Sequence, residues 1–317
     1  MHNTFVSLIS VIQKPSDVKG LAVFLQKVHQ LMTDNFSDYE VILINNLTGY
    51  NIGEELKDLE KVHKNQVFIL NLSTSINKNH AIIAGLDRSN GDYTVVFELE
   101  FANTPELILQ LFKKTQENYD IVYLRGKGPK VSLRYQLFYR IFYFLLRNYS
   151  SLKIDARAYT TRIISRRALN SLLKLRENLR YMKALYSIVG YNTSYLETAD
   201  NPPIEAEEGF SERFKTSLIA ITSFTTFLNS LMLWLFILSL AFLIGVVVNA
   251  LVFKFSGADL FGNTQEAPPG WTFLVVLISI FFAVTCLNLY IMSIYLANIY
   301  HEIKKRPLYI IESIQRP

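Results

Sequence analysis

The chain has 317 residues, half of them hydrophobic, and a positive mean hydropathy of +0.20, room for one large domain or two modest ones and high for a soluble protein. A net charge of +5 and a pI near 9.0 suit the face of an anionic membrane as well as they suit nucleic acid. The single cysteine, Cys286, excludes an internal disulfide, and the dispersed His2, His29, His63, His80 and His301 show no zinc-ligand spacing.

The N-terminus, MHNTFVSLIS, lacks a basic segment followed by a long apolar core, so no cleavable signal peptide is expected. FVSLISVI (5–12) reads as a strand and DVKGLAVFLQKVHQLM (17–32) as a helix. YEVILINN (39–46) and QVFILNLS (66–73) read as strands, HAIIAGLDRS (80–89) as a helix, and DYTVVFELE (92–100) as a strand. A helix from Pro105 and the strand YDIVYLRG (119–126) follow. Strands alternating with helices imply βαβ units and a mostly parallel sheet. Ligands bind such sheets beyond the carboxyl ends of the strands. Those ends are Asn45–Asn46, Thr74–Lys78 and Glu98–Glu100, which converge on one crevice.

VSLRYQLFYRIFYFLLRNY (131–149) is apolar almost all round, with Arg134, Arg140 and Arg147 interspersed. It reads either as a helix in a membrane interface with snorkelling arginines or as a core helix of the domain. From Leu218 to Phe253 the sequence carries no charge, more than the roughly 20 residues a bilayer crossing needs. Its Ser/Thr-rich start divides it into an interfacial helix (213–228) and a first span (229–253). A second uncharged run gives the other span (271–297). The loop between them (254–270) has one Lys and two acids, whereas Arg213, Lys215 and the KKRP segment flank the other ends. The positive-inside rule then places 254–270 outside and both termini in the cytoplasm, in an inner or plasma membrane, with 298–317 a basic tail. Buried core helices of a soluble protein are the alternative for the two runs.

The order of motifs resembles the family 2 glycosyltransferases of GT-A fold, specifically the membrane-anchored polyprenyl-phosphate glycosyltransferases of the bactoprenol glucosyltransferase and dolichyl-phosphate mannose synthase kind. YEVILINNLTGYN sits where that family has a strand ending in Asp-Asp-Gly-Ser. LSTSINKNHAIIAGLDRSNGD resembles its Leu-Ser-Arg-Asn-x-Gly-Lys stretch, ELEFANTPELI its Asp-Ala-Asp-Leu-Gln-Asp-Pro-Pro-Glu, and IYHEIKKRPLYII its C-terminal tail. The resemblance implies a cytoplasmic α/β GT-A domain with a Rossmann-like, mostly parallel sheet (residues 1–212), then the interface helix and the two transmembrane helices. It also implies a nucleotide-sugar donor and a divalent cation, Mg²⁺ or Mn²⁺, on its diphosphate. The phosphate of a polyprenyl lipid would attack the anomeric carbon.

Carried over position by position, the resemblance makes Glu98 and Glu100 the metal ligands, Glu100 nearer the metal. Asn45, Asn46, Lys78 and Glu98 fall where the donor binds. Arg125 and Arg162, with the two glutamates, fall in the catalytic set. Lys127 and Lys130 extend a basic loop after Arg125 that suits a phosphate, or is a solvated surface loop. The chain departs from the pattern at polar positions. Asn45–Asn46 replaces the Asp pair and brings no negative charge. Thr74–Ser75 replaces Arg-Asn, and Thr160 stands at the Asp of Gly-Asp-Phe-Arg, with Asp155 five residues upstream. EGFSERF replaces Gly-Glu-Ser-Lys, and Ile294 and Asn298 replace Glu and Arg in the tail. Glu is one methylene longer than Asp, which would displace a held metal by about 1.5 Å.

Two functions follow. One is a divergent membrane-bound transferase moving a sugar from a nucleotide-sugar to polyprenyl phosphate. The other is a catalytically degenerate transferase-like subunit supporting a partner in a surface-glycan or lipid-modification system. Ser230, Asn249, Asn288 and Ser293 in the spans suggest a homo-oligomer, or a hetero-oligomer with a related transferase. His80 reads as a cap or packing residue, Cys286 as a helix-packing position, and no nucleic-acid partner is expected.

Overall fold

The computed structural model describes the chain except residues 57–64, 127–132, 151–153, 156, 176–181, 199–216, 218–220, 222–224, 259–269, 304–306 and 317. The described residues fall into two units. One comprises residues 1–143, 151–209 and 305–317, and the other 144–150 and 210–304.

The first unit is built on eight strands: β1 (His2–Ile12), β2 (Phe36–Asn45), β3 (Val67–Leu72), β4 (Tyr93–Val96), β5 (Ile121–Arg125), β6 (Ala158–Ser165), β7 (Thr193–Glu197) and β8 (Ile311–Gln315). They form one sheet in the order β7-β5-β6-β4-β1-β2-β3-β8. The pairs β1–β2, β1–β4, β2–β3 and β5–β7 are parallel, while β4–β6, β5–β6 and β3–β8 are antiparallel. The expected mostly parallel α/β sheet is therefore present.

Alternation along the strands explains why both faces are covered. Leu8, Val41, Leu43 and Val95 pack into one core, whereas Ile9, Ile42, Ile44 and Val96 pack into the other. Successive side chains in a strand point to opposite faces, so an unbroken apolar run must be buried on both. The first core is closed by α2 (Leu21–Asn35) through Leu21, Phe24, Leu25, Val28 and Met32. The second is closed by α4 (Lys78–Arg88) through Ala81, Ile82, Ala84 and Leu86. Gly85 lets α4 lie close to the sheet: a Cβ there would stand 2.6 Å from Ile9 Cγ2 and 2.8 Å from Ile44 Cδ1.

The helix expected over 17–32 is broken. A four-residue turn, α1 (Pro15–Val18), ends before Gly20, whose φ of 81° is left-handed and free of strain only for glycine, and α2 begins after it. The strand expected over 92–100 stops at Val96, because a 3₁₀ turn (Leu99–Phe101) carries the chain away. The remaining helices of this unit include α3 (Ile52–Glu55), α5 (Leu107–Thr115), α7 (Arg166–Lys174) and α8 (Met182–Ile188). Within the stretch expected as a basic tail (298–317), residues 298–303 continue a helix and Ile311–Gln315 forms the edge strand β8.

Helix α6 (Leu133–Tyr149) matches the reading of residues 131–149 as helical. The second unit consists mainly of α9 (Phe227–Ser256) and α10 (Gly270–Ile303). Within α10, Ile280–Ala297 has a mean hydropathy of 2.0 and is the one helical stretch among the described residues long and apolar enough to cross a membrane. The corresponding segment of α9, Ser230–Gly245, is shorter. Trp234, Phe236, Phe282 and Tyr290 are each at least 60% exposed, so neither helix is the buried core helix that was the alternative. Asn288, one of the polar residues of the second apolar run, has its Oδ1 buried without a hydrogen-bond partner among the described residues. The interfacial helix expected over 213–228 lies largely outside the described residues, and its described end, Phe227–Leu228, belongs to α9.

Candidate functional site

Beyond the carboxyl ends of β1 and β4 lies an open cleft of about 460 Å³, solvent space included. Lys14, Asp17, Lys78, Glu98, Glu100 and Thr160 are among its lining residues. Three local features build it. Phe97 still donates its N–H to Ile9 O at 2.8 Å, so the chain leaves the sheet only at Glu98, and the 3₁₀ turn then brings Glu100 to the mouth. Asn77 caps α4 by accepting from Asn79 N, which makes Lys78 the first helical residue and points the helix's amino end at the cleft. Asp17 accepts from the N–H groups of Gln13 and Lys14 at 2.9 and 3.0 Å, closing the turn after β1.

The two glutamates are not equivalent. Glu98 Oε1 pairs with Lys78 Nζ at 3.2 Å. Its Oε2 accepts from Thr160 N at 2.9 Å, Thr161 N at 3.0 Å and Thr161 Oγ1 at 3.2 Å. Burial raises its pKa, but the Lys78 charge and the hydrogen bonds from Thr160 and Thr161 outweigh burial and hold the carboxyl below the usual range. Both oxygens of Glu98 are thus engaged by the fold. Glu100 is an exposed residue whose carboxyl lines the cleft. Desolvation against the cleft wall, together with the like charges of Glu98 and Asp17, outweighs Lys78 and raises its pKa. Glu100 is the carboxylate with electrostatic reason to gain a cation.

The structure brings Lys78, Glu98, Glu100 and Thr160 to one cleft, but Asn45, Asn46, Arg125 and Arg162 are not among its lining residues. Asn45 is buried. Its amide donates to Tyr50 O and Asn71 Oδ1, each at 2.8 Å, and its Oδ1 accepts from Leu47 N. Asn46, also buried, exchanges two hydrogen bonds with the backbone of Ile76. Both amides are spent on ordering strand-end loops. Arg162 is 3% exposed, donates to the carbonyls of Thr160 and Tyr159, and lies 3.8 Å from the centre of the Tyr186 ring. Arg125 pairs with Asp155 at 3.0 Å and stacks over Tyr195 at 4.5 Å. Asp155 therefore partners Arg125 and does not stand in for the missing Asp at Thr160. Lys127 and Lys130 lie outside the described residues.

Sequence reasoning missed Asp17 and Lys14 as cleft residues and Thr160–Thr161 as the clamp on Glu98. The Pro-Ser-Asp run at 15–17, a helix-start signature, was the available signal for the first pair. Among the described residues, no group of three or more His, Cys, Asp or Glu side chains could hold a metal ion. Glu100 fits only as one carboxylate beside a cation whose other ligands come with a substrate, a habit of Mg²⁺ at diphosphates.

Residues 19–173 match Glycosyl transferase family 2. The chain is 26% identical to an uncharacterized glycosyltransferase of Synechocystis sp., sll0501, over 98% of this chain and 96% of that protein. It is also 26% identical to an SfII prophage-derived bactoprenol glucosyl transferase of Shigella flexneri, over 95% and 96%. Among solved structures, the mannosyltransferase PcManGT of Pyrobaculum calidifontis, in complex with GDP-Man and Mn²⁺, superposes with a TM-score of 0.45 at 11% identity, covering 95% of this chain and 88% of that one.

Proposed function

For a chain that belongs to glycosyl transferase family 2 through its domain at residues 19–173, we propose transfer of a sugar from a nucleotide-sugar to polyprenyl phosphate at a membrane surface. The observation that carries this reading is the placement of Lys78 and Glu100 on one cleft at the carboxyl ends of the parallel strands. The name of the Shigella relative supplies the acceptor class.

Lys78, fixed by Glu98, faces the donor's diphosphate from the amino end of α4, where the backbone N–H groups also favour an anion. Glu98 serves as a strut that fixes Lys78 and ties β4 to β6. A divalent cation arriving with the diphosphate would take Glu100 as its protein ligand and offset the charge of the departing nucleotide diphosphate. The acceptor phosphate is already an anion at neutral pH, so orientation in the cleft matters more than a general base. Asn45 and Asn46 shape the strand-end loops beside the donor through the hydrogen bonds described above.

Membrane attachment rests on α9 and α10, which expose many large apolar side chains, a surface that water does not tolerate and lipid does. With 30 and 34 residues they measure about 45 and 51 Å, each as long as a crossing needs, and among the described residues the stretch Ile280–Ala297 of α10 is also apolar enough for one. The chain leaves the sheet unit before α9 and rejoins it after α10 as β8. An even number of crossings keeps both termini on one side, and the Lys/Arg asymmetry of the flanks makes that side the cytoplasm in this reading. A cysteine at Ser256 in a Cys286→Ala background should react with an impermeant thiol reagent from outside; reaction only after lysis would reverse the topology.

The degenerate-subunit reading draws on the internal use of Asn45, Asn46, Glu98 and Arg162. The two are separated by incubating the full chain in polyprenyl-phosphate vesicles with labelled UDP- and GDP-hexoses and Mn²⁺. The transferase reading predicts label in the lipid fraction, falling on the order of a hundredfold or more in Glu100→Gln. Absence of transfer from every donor would favour the subunit.

A further inference from the structure

The tail after α10 does more than close a sheet edge. β8 pairs antiparallel with β3, matching Asn71 with Ser313. Tyr309 OH donates to Asp87 at 2.6 Å, Ser73 N donates to Ile310 O at 3.0 Å, and Arg316 lies over the Phe68 ring at 4.9 Å. From Ser313 a line of side-chain hydrogen bonds crosses two strands. Asn71 Nδ2 donates to Ser313 Oγ at 2.9 Å, Asn45 Nδ2 donates to Asn71 Oδ1 at 2.8 Å, and Asn45 Oδ1 accepts from Leu47 N at 3.1 Å. The other Asn45 N–H holds Tyr50 O, so both sides of the 47–50 turn depend on one amide. Gln315 adds a second point of approach: its Oε1 lies 3.6 Å from where a Cβ on Gly53 would stand, just past that turn.

We infer that Asn71 and Ser313 are positioning residues, through which the C-terminal strand sets Asn45 and orders the 47–50 turn for the nucleotide end of the donor. An Asn amide has two near-isosteric orientations, and what selects one is the donor or acceptor set facing it. A serine hydroxyl can donate or accept, so the amide orientations are set from the turn: Leu47 N–H takes Asn45 Oδ1, Tyr50 O takes one Asn45 N–H, and the other Asn45 N–H takes Asn71 Oδ1, which turns the Asn71 NH₂ toward Ser313. Ser313 Oγ then pins the far end of the Asn71 amide; without it Asn71 loses that hold, and the Asn45 amide loses a fixed anchor. The segment that gives this order follows α10 in the sequence, so the donor side of the sheet is ordered by the C-terminal stretch of the chain.

The test uses the full-length chain in lipid nanodiscs with Asn71→Ala, Ser313→Ala and the hydroxyl-keeping Ser313→Thr. Amide hydrogen exchange should be roughly fivefold faster at Leu47 in both alanine variants, the size expected for one lost hydrogen bond. Ser313→Thr should exchange at the wild-type rate, and the Phe68 and Ile69 amides of β3 should not change. Unchanged exchange at Leu47 in both alanine variants would overturn the relay. So would an equal increase along β3, which would mean a loosened edge and nothing more. A second arm, which rests on the nucleotide-sugar reading, measures affinity for UDP and GDP. Weaker binding in Ser313→Ala, restored in Ser313→Thr, supports the role at the donor. Equal binding in all variants alongside faster Leu47 exchange would overturn that role. If wild type binds neither nucleotide, the donor reading fails while the exchange arm still decides the relay.

Discussion

The two ends of the sheet treat their carboxylates differently. At the amino ends of β1 and β4, Glu40 is 5% exposed and accepts from Ser7 Oγ and Asn90 N, each at 2.7 Å. Asp92 accepts from Phe5 N, and Asp120 accepts from Arg167 at 2.5 and 2.7 Å and from Ser165 Oγ at 2.6 Å. Every one of these carboxylates meets donors supplied by the fold. At the carboxyl end Glu98 follows the same rule, but Glu100, two residues on, faces the cleft among like charges. The end proposed as functional is therefore distinguished less by having acids than by leaving one of them among like charges.

Changes that break this contrast should differ in size. Glu98→Ala removes the Lys78 ion pair and leaves the Thr160 and Thr161 N–H groups without their carboxylate acceptor, and should cost about 3–4 kcal/mol in urea denaturation. Asp120→Ala at the opposite end should cost about 2 kcal/mol, less because Arg167 is 65% exposed, and should leave nucleotide binding unchanged. Acid titration sharpens the comparison. Glu98 and Asp120 have lowered folded pKa values, so their stabilisation is complete above the unfolded carboxylate range and is lost as pH falls through the folded values. Glu98→Gln and Asp120→Asn should each flatten the acid limb of a stability-against-pH curve. Glu100 has the opposite sign: its folded pKa is raised, so its contribution is lost as pH rises through that value. Glu100→Gln should gain stability relative to wild type on going from acid to neutral pH. That gain is reached at neutral pH and is the smallest of the three effects, about 0.5 kcal/mol.

Much of this architecture was legible in the sequence, and the reasons are local. β1, β2 and β3 are apolar β-branched runs bounded by polar residues, so their existence needs no tertiary information. β6 was hidden, because Ala-Tyr-Thr-Thr-Arg-Ile-Ile-Ser alternates weakly and was read as a motif. β8 was hidden because Ile-Glu-Ser-Ile-Gln follows a basic stretch after a long apolar helix, and only the open edge of β3 makes it a strand. The break at Gly20 depends on a left-handed φ that a single glycine permits without announcing. At the site, residue type was readable and side-chain direction was not. Nothing in Glu-Leu-Glu says that the first carboxylate turns toward Thr160 and Thr161, which come from an antiparallel neighbour more than sixty residues later. The asparagines were read as donor contacts for the same reason, since their partners Asn71 and Ile76 lie on another strand end.

The most direct test of the account is isothermal titration of the full-length chain with UDP and GDP, with and without Mn²⁺, in wild type, Glu98→Gln and Glu100→Gln. Wild type should bind one nucleotide in a Mn²⁺-dependent manner. Glu100→Gln should lose the Mn²⁺ dependence while melting as wild type does, and Glu98→Gln should melt lower. Binding by Glu100→Gln equal to wild type, or no binding of either nucleotide by wild type, would contradict it.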